Sequence, residues 1–208
     1  MAATDWKKEI KPLIRKYKGK KHPLDYRNAY ELIVMVVLSA QDSDRNINKL
    51  APAFFGSFPD MAALSRAASA DIIPLVQKIR NHRNKTKWLL ELSKQIKSDA
   101  QIPVTLEELT SLPGIGRKSA NVIMRELKLK AEGIIVDLHV VRVAPRLGIA
   151  TGSDPKKIEK QLMEVVSPAD WGEAGMAISF LGREICRPKN PKCSECVLEA
   201  LCAYRKTL

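Results

Sequence analysis

The sequence predicts an all-α fold, and three observations carry that prediction. Apolar residues recur at helical spacing from end to end, no segment sustains the period-two alternation of a half-buried strand, and prolines and glycines punctuate only short connections. The one β-branched run, Ile134, Ile135 and Val136, stops after three residues. At 208 residues and 45% hydrophobic content, the chain can build one large domain or two small ones around a substantial core.

The first clear helix carries Tyr30, Ile33, Val34, Val37 and Leu38 on one stripe, and the next carries Ile47, Leu50 and Phe54. A loop is expected at Gly56 to Pro59. The clearest amphipathic pattern is Trp88, Leu89, Leu92 and Ile96, ringed by Lys87, Glu91, Lys94 and Lys97. Residues 105–129, TLEELTSLPGIGRKSANVIMRELKL, read as a helix-hairpin-helix: Leu106, Leu109 and Leu112, a tight turn from Pro113 to Gly116, then Ala120, Val122, Ile123 and Leu127. Asp137 stands at the N-cap of a helix bearing Val140, Val141 and Val143, and Asp154 and Pro155 open one bearing Ile158, Leu162, Val165 and Val166. With no long linker, repeat or low-complexity tract, the expected division is a block over 22–133 and a second formed by 1–21 plus 134–208, with a cleft between them as the natural site.

The 35 Lys+Arg against 23 Asp+Glu leave a formal net charge of +12, the electrostatic footprint of a phosphate-backbone binder. The longest apolar stretch, Leu32 to Leu38, is far shorter than the roughly 20 residues a bilayer requires. The opening MAATDWKKEIKPL is charged where a secretory signal would be apolar, so an intracellular protein without a membrane segment is expected.

Three constellations carry chemistry. Gly114 and Gly116 permit positive φ and let backbone amides approach an anion at a helix N-terminus, while Ile115 between them anchors the turn in the core. An ordinary αα-hairpin with a glycine turn is the plainer alternative. Lys118, beside Arg117, sits in the first helical turn, where a cation opposes the macrodipole. Partly desolvated there, it is expected to have a lowered pKa and to serve as a nucleophile, or else simply to contact phosphate. Asp137 is either only a cap or also an acid/base partner facing that amine.

All four cysteines fall in the last 23 residues as Cys186-x6-Cys193-x2-Cys196-x5-Cys202. This reads as one four-thiolate metal site rather than a disulfide framework, suited to zinc or an iron–sulfur cluster. Because only Cys193 and Cys196 form a C-x2-C pair, the spacing leans away from zinc. Between the first two ligands Arg187, Lys189 and Lys192 form a basic loop stiffened by Pro188 and Pro191, suited to presenting charge to phosphate.

L-P-G-I-G-R-K-S-A-N-V, V-D-x-H-V-x-R-V, the cysteine spacing and L-S-A-Q at Leu38 to Gln41 together resemble the endonuclease III family of helix-hairpin-helix DNA glycosylases over about residues 22–205. The resemblance implies a bilobal all-α fold, a six-helix barrel and a [4Fe-4S] cluster domain flanking a DNA cleft. It implies a monomer that removes oxidised pyrimidines from damaged double-stranded DNA and then cuts at the abasic site. By position, Lys118 would attack C1′ of the flipped nucleotide and form a Schiff base, and Asp137 would assist base departure. Gln41 would fill the gap left by the flipped base, Gly114 and Gly116 would hold a phosphate, and the four cysteines would hold the cluster.

Three departures bear on specificity. Leu138 follows Asp137 where the family usually has threonine, and Asp42 and Ser43 follow Gln41 where it favours small and threonine residues. Arg80 to Lys87 forms an expected loop without the usual glycine, in which His82 and Arg83 read the estranged base, grip phosphate or simply face solvent. Two other functions stay open at this point: a glycosylase of the same fold with altered base specificity, and a non-catalytic DNA-binding module that keeps hairpin and metal site for structure.

Overall fold

The computed structural model describes residues 4–207, so the two ends of the block expected over 1–21 plus 134–208 lie outside the described residues. It is helical, with no strand among the described residues. Chain contacts resolve two compact units, Lys21–Leu129 and Met1–Lys20 with Lys130–Leu208. None of the described helices is long and apolar enough to cross a membrane.

Two short helices, α1 (Trp6–Glu9) and α2 (Lys11–Tyr17), belong to the discontinuous unit. The continuous unit then supplies α3 (Ala29–Ser39), α4 (Asp44–Ser57), α5 (Met61–Ser65), α6 (Ser69–Val76), α7 (His82–Ile96), α8 (Leu106–Ser111) and α9 (Arg117–Glu126). Its centre is α3, in which every residue from Tyr30 to Leu38 is buried, so the helix is enclosed on all sides rather than on one stripe as its sequence suggests. Helices α4, α7 and α9 pack around it. The two polar groups of α3 that go inside are satisfied there: Tyr30 donates to the Phe58 carbonyl at 2.7 Å, and Glu31 accepts from the Arg27 amide and guanidinium.

Capping residues set most starts. Asn28, Ser43, Asp60 and Thr105 each accept from a first-turn amide of the helix that follows, at α3, α4, α5 and α8. The structure departs from the sequence reading at two segments. Gly56 lies in the last turn of α4 rather than in a loop, and the run Arg80 to Lys87 is mostly helix, because α7 begins at His82. Asn81, the residue before α7, adopts the left-handed conformation with φ +56°.

In the discontinuous unit, α10 (Leu138–Leu147), α11 (Pro155–Val165) and α12 (Trp171–Glu184) follow, with α12 packed on both α10 and α2. Asp137 and Asp154 cap α10 and α11 as their sequence positions predict. The buried segment Ile134 to Val136 runs along α12. A Cβ on Gly175 would stand 2.4 Å from the Ile135 carbonyl oxygen and 2.7 Å from its nitrogen, and one on Gly182 would stand 2.9 Å from the His139 Cβ. Positions 175, 179 and 182 lie on one helical face, so α12 presents small residues wherever the chain around Asp137 crosses it.

Because backbone cannot yield as a side chain end can, Gly175→Ala is expected to lower unfolding free energy by about 3 kcal/mol. Gly172→Ala, whose Cβ would meet only the Ala131 Cβ at 3.6 Å, is expected to be neutral or slightly stabilising. Urea midpoints of the two variants check this pair.

Candidate functional site

The hairpin is formed by α8, the turn Leu112 to Gly116 and α9. Gly114 has φ +80°, and a Cβ there would sit 3.0 to 3.2 Å from Trp88 atoms, so both conformation and contact demand glycine. Ile115 is buried and anchors the turn as the sequence suggests. Gly116 differs from expectation: its φ is −88° and a Cβ would meet nothing within 4 Å. Its role is therefore not conformational. It is the N-cap of α9, where the lack of a side chain leaves the approach to the first-turn amides open to an external anion.

Arg117 and Lys118 occupy that first turn and both are exposed. The exposure corrects the expected partial desolvation of Lys118.

Asp137 is far more constrained. One carboxylate oxygen accepts from the His139 and Val140 amides, each at 2.9 Å. The other accepts from the Ser179 hydroxyl at 2.6 Å and lies 3.8 Å from the Arg183 guanidinium. Ser179 is fully buried on the small-residue face of α12, so the close approach permitted by Gly175 and Gly182 brings its hydroxyl to Asp137. The carboxylate is thus both cap and fixed charge. The following Leu138 is 84% exposed, an apolar side chain in water beside an ordered carboxylate. Lys118 belongs to the continuous unit and Asp137 to the discontinuous one.

Gln41, just beyond α3, is exposed with φ +58°. Its side-chain carbonyl accepts from Asn81 at 3.3 Å, and its neighbour Asp42 accepts from the Arg80 amide at 2.9 Å, the Asn46 side chain at 3.0 Å and the Ser43 amide at 2.8 Å. Burial alone would raise the Asp42 carboxyl, but these bonds and the Lys85 charge outweigh it and hold it below the ordinary range. Lys85 is 1% exposed and donates to the Leu38 carbonyl at 2.8 Å. Burial pushes its ammonium below the usual value, against the attraction of Asp42. The charge run is therefore no uniform solvated face: Arg83 is exposed and His82 half-buried, while Lys85 is on the interior stripe one turn before Leu89.

Cys186, Cys193, Cys196 and Cys202 line one pocket of the discontinuous unit with apolar walls from Leu147, Leu181 and Ile185. Among the described residues, no group of three or more His, Cys, Asp or Glu side chains is drawn together as a single-ion site. Burial raises the Cys196 thiol, a backbone hydrogen bond at Leu198 opposes this, and the other three cysteines raise it further, so four adjacent thiolates call for a compensating cation. Two arginines of α10 bind the segment. Arg142 donates to the Gly182 and Cys186 carbonyls, and Arg146 donates to those of Arg187 and Pro188 and lies 3.6 Å from the Cys186 sulfur. Arg187 and Lys189 are exposed on this tethered loop, and Lys192 pairs with Glu195.

Sequence reasoning missed Ser179, Arg146, Asn81 and Lys85. Arg146 follows the motif residue Arg142 by one helical turn, a spacing that could have flagged it. The other three bind partners 40 to 47 residues away, and local pattern gives no sign of them.

Residues 34–168 match the family profile described as "HhH-GPD superfamily base excision DNA repair protein". The chain is 36% identical to endonuclease III of Synechocystis over 197 residues, covering 93% of this chain and 90% of that protein. It is 36% identical to endonuclease III of Bacillus subtilis over 182 residues, covering 86% and 83%. Among solved structures, a non-covalent endonuclease III–DNA complex superposes with a TM-score of 0.84 at 29% identity, covering 95% of this chain and 94% of that one. A thermostable thymine-DNA glycosylase shares the fold at a TM-score of 0.83 and 18% identity. A hairpin that opens a helix end to an anion, an amine in that helix's first turn and a four-cysteine tail thus sit in a chain that belongs to the endonuclease III family of the HhH-GPD superfamily of base excision DNA repair proteins.

Proposed function

We propose that this protein excises oxidised pyrimidines from damaged double-stranded DNA and then cleaves the resulting abasic site through a Schiff base on Lys118. That it is a DNA glycosylase and abasic-site lyase follows from its family, which sets aside the non-catalytic alternative. The observation that carries the lysine chemistry is the exposed Lys118 in the first turn of α9, directly beyond a turn open to phosphate.

In this reading the Gly114 to Gly116 turn and Arg117 hold the backbone phosphate, with Arg83, Arg187, Lys189 and Lys192 adding charge along the duplex and His82 a polar contact. Gln41 fills the gap left by the flipped nucleotide. The neutral Lys118 amine bonds to C1′ as the glycosidic bond breaks, and the base leaves with the bonding electrons and a proton. Opening of the sugar gives the iminium; loss of a C2′ proton then expels the 3′ phosphate and cuts the strand 3′ to the lesion. Asp137, oriented by Ser179 and the α10 amides, stabilises positive charge developing on the sugar.

The cysteine set fits a [4Fe-4S] cluster held by Cys186, Cys193, Cys196 and Cys202. All four thiols line one pocket with apolar walls, and only Cys193 and Cys196 form the C-x2-C pair that recurs in mononuclear zinc sites. When bound, the cluster would supply the cationic core that four thiolates require and fix the basic loop 187–192. A second reading, the same fold with altered base preference, is favoured by one observation: exposed Leu138 replaces a hydroxyl beside Asp137. The protein would act as a monomer in a bacterial cytoplasm, on nucleoid DNA.

With borohydride and a duplex carrying an abasic site or thymine glycol, the native protein is expected to form a covalent adduct and Lys118→Ala none. Base release without adduct would replace the lyase mechanism by hydrolysis. Comparing thymine glycol, dihydrouracil, uracil and mismatched duplexes reads the effect of Leu138: Leu138→Thr is expected to change the rank order of substrates. The purified protein should show broad visible absorption and about four iron and four sulfide per chain, both lost in Cys193→Ala. Zinc at about one per chain without that absorption would overturn the cluster.

A further inference from the structure

Gln41 makes an unusual demand on its surroundings. Filling a gap in a stacked duplex requires a short polar side chain to be presented rigidly, yet Gln41 sits just past the C-terminus of α3 in a left-handed conformation that carries a steric cost for a side chain with a Cβ. Something must hold that turn. Three ties converge on it, all from one short stretch of α7 and the two residues before it. The buried Lys85 ammonium donates to the Leu38 carbonyl at 2.8 Å, one of the terminal carbonyls that α3 leaves without helical partners. The Arg80 amide donates to Asp42 at 2.9 Å, on the far side of Gln41. Asn81, whose backbone is itself left-handed, donates from its side-chain amide to the Gln41 side-chain oxygen at 3.3 Å.

We propose that Lys85 is a positioning residue that clamps the Leu38 to Asp42 turn from beneath and so aims Gln41 into the duplex. This inference rests on the reading that Gln41 fills the space of the flipped base. A full charge in the interior is a costly way merely to fill volume, and an apolar side chain of equal length would pack there without it. What the ammonium adds is a cation at the negative end of α3 and attraction toward Asp42, which together bind both sides of the Gln41 turn to α7. Asn81 closes the clamp at the surface, where its side-chain amide reaches the Gln41 side-chain oxygen directly.

The test separates aiming from folding. Lys85→Met and Asn81→Gly keep side-chain volume in the first case and left-handed backbone in the second, and both are compared with Gln41→Ala. Each is assayed in single turnover for excision from a lesion duplex and, separately, for strand cleavage at an abasic site in single-stranded DNA, where there is no gap to fill. 2-Aminopurine beside the lesion reports extrusion. Lys85→Met is expected to slow duplex excision and the fluorescence change by about tenfold or more, with single-strand cleavage within about twofold of native and little further loss on adding Gln41→Ala. Asn81→Gly should slow the same two readouts by a smaller factor. Equal losses on single strands and duplexes would make Lys85 structural only and overturn the clamp. Should Lys85→Met fail to fold, native extrusion kinetics in Asn81→Gly would overturn it. An unaffected Gln41→Ala would instead overturn the underlying role of Gln41, and native behaviour of Lys85→Met with a slow Gln41→Ala would overturn the clamp alone.

Discussion

The approach of α12 to the chain around Asp137 is the contact on which the discontinuous unit turns. Two glycines let helix and backbone meet closer than any side chain allows, and Ser179 between them spends the proximity on a hydrogen bond to the carboxylate. The same carboxylate caps α10, and α10 in turn extends Arg142 and Arg146 to the cysteine segment. A packing constraint on α12 therefore reaches, through one carboxylate and one helix, to the basic loop at the opposite end of that helix. Enlarging Gly175 would disturb all of these at once.

The continuous unit is organised differently. Its central helix is buried on every side, so the elements around it need only bring apolar stripes, and the proposed DNA contacts lie on the connections: the turn after α3 and the turn between α8 and α9. Each rests on a side chain of α7. Lys85 lies under the first, and Trp88 packs against Gly114 of the second. These two residues are three apart on one helix, so α7 sets both the expected gap-filling turn and the phosphate-facing turn in a common frame.

Much of this was legible in the sequence, for identifiable reasons. Helix existence follows from apolar spacing, and starts such as Asp137 and Asp154 follow from caps, because both signals are local. Gly114 and Ile115 were readable because a tight turn has few chemical solutions. What was not legible depends on distant partners or on environment. Gly116 looked like a second positive-φ glycine but has ordinary extended-side torsions. The run Arg80 to Lys87 looked like a charged loop, yet Asn81 supplies the left-handed residue and Lys85 points inward, since helical phase outweighs charge in deciding which residues face the core. Ser179 carried no mark at all, as its significance exists only once α12 lies against Asp137.

Asp137 carries a structural duty beside its proposed chemical one. The aspartate caps α10 and accepts from α12, so replacing it exacts stability whether or not chemistry is needed. Lys118 is exposed in the first turn of α9, where the helix macrodipole opposes a cation. Were the proposed chemistry no longer required, the aspartate would still be held in place by the cap and the α12 contact it provides.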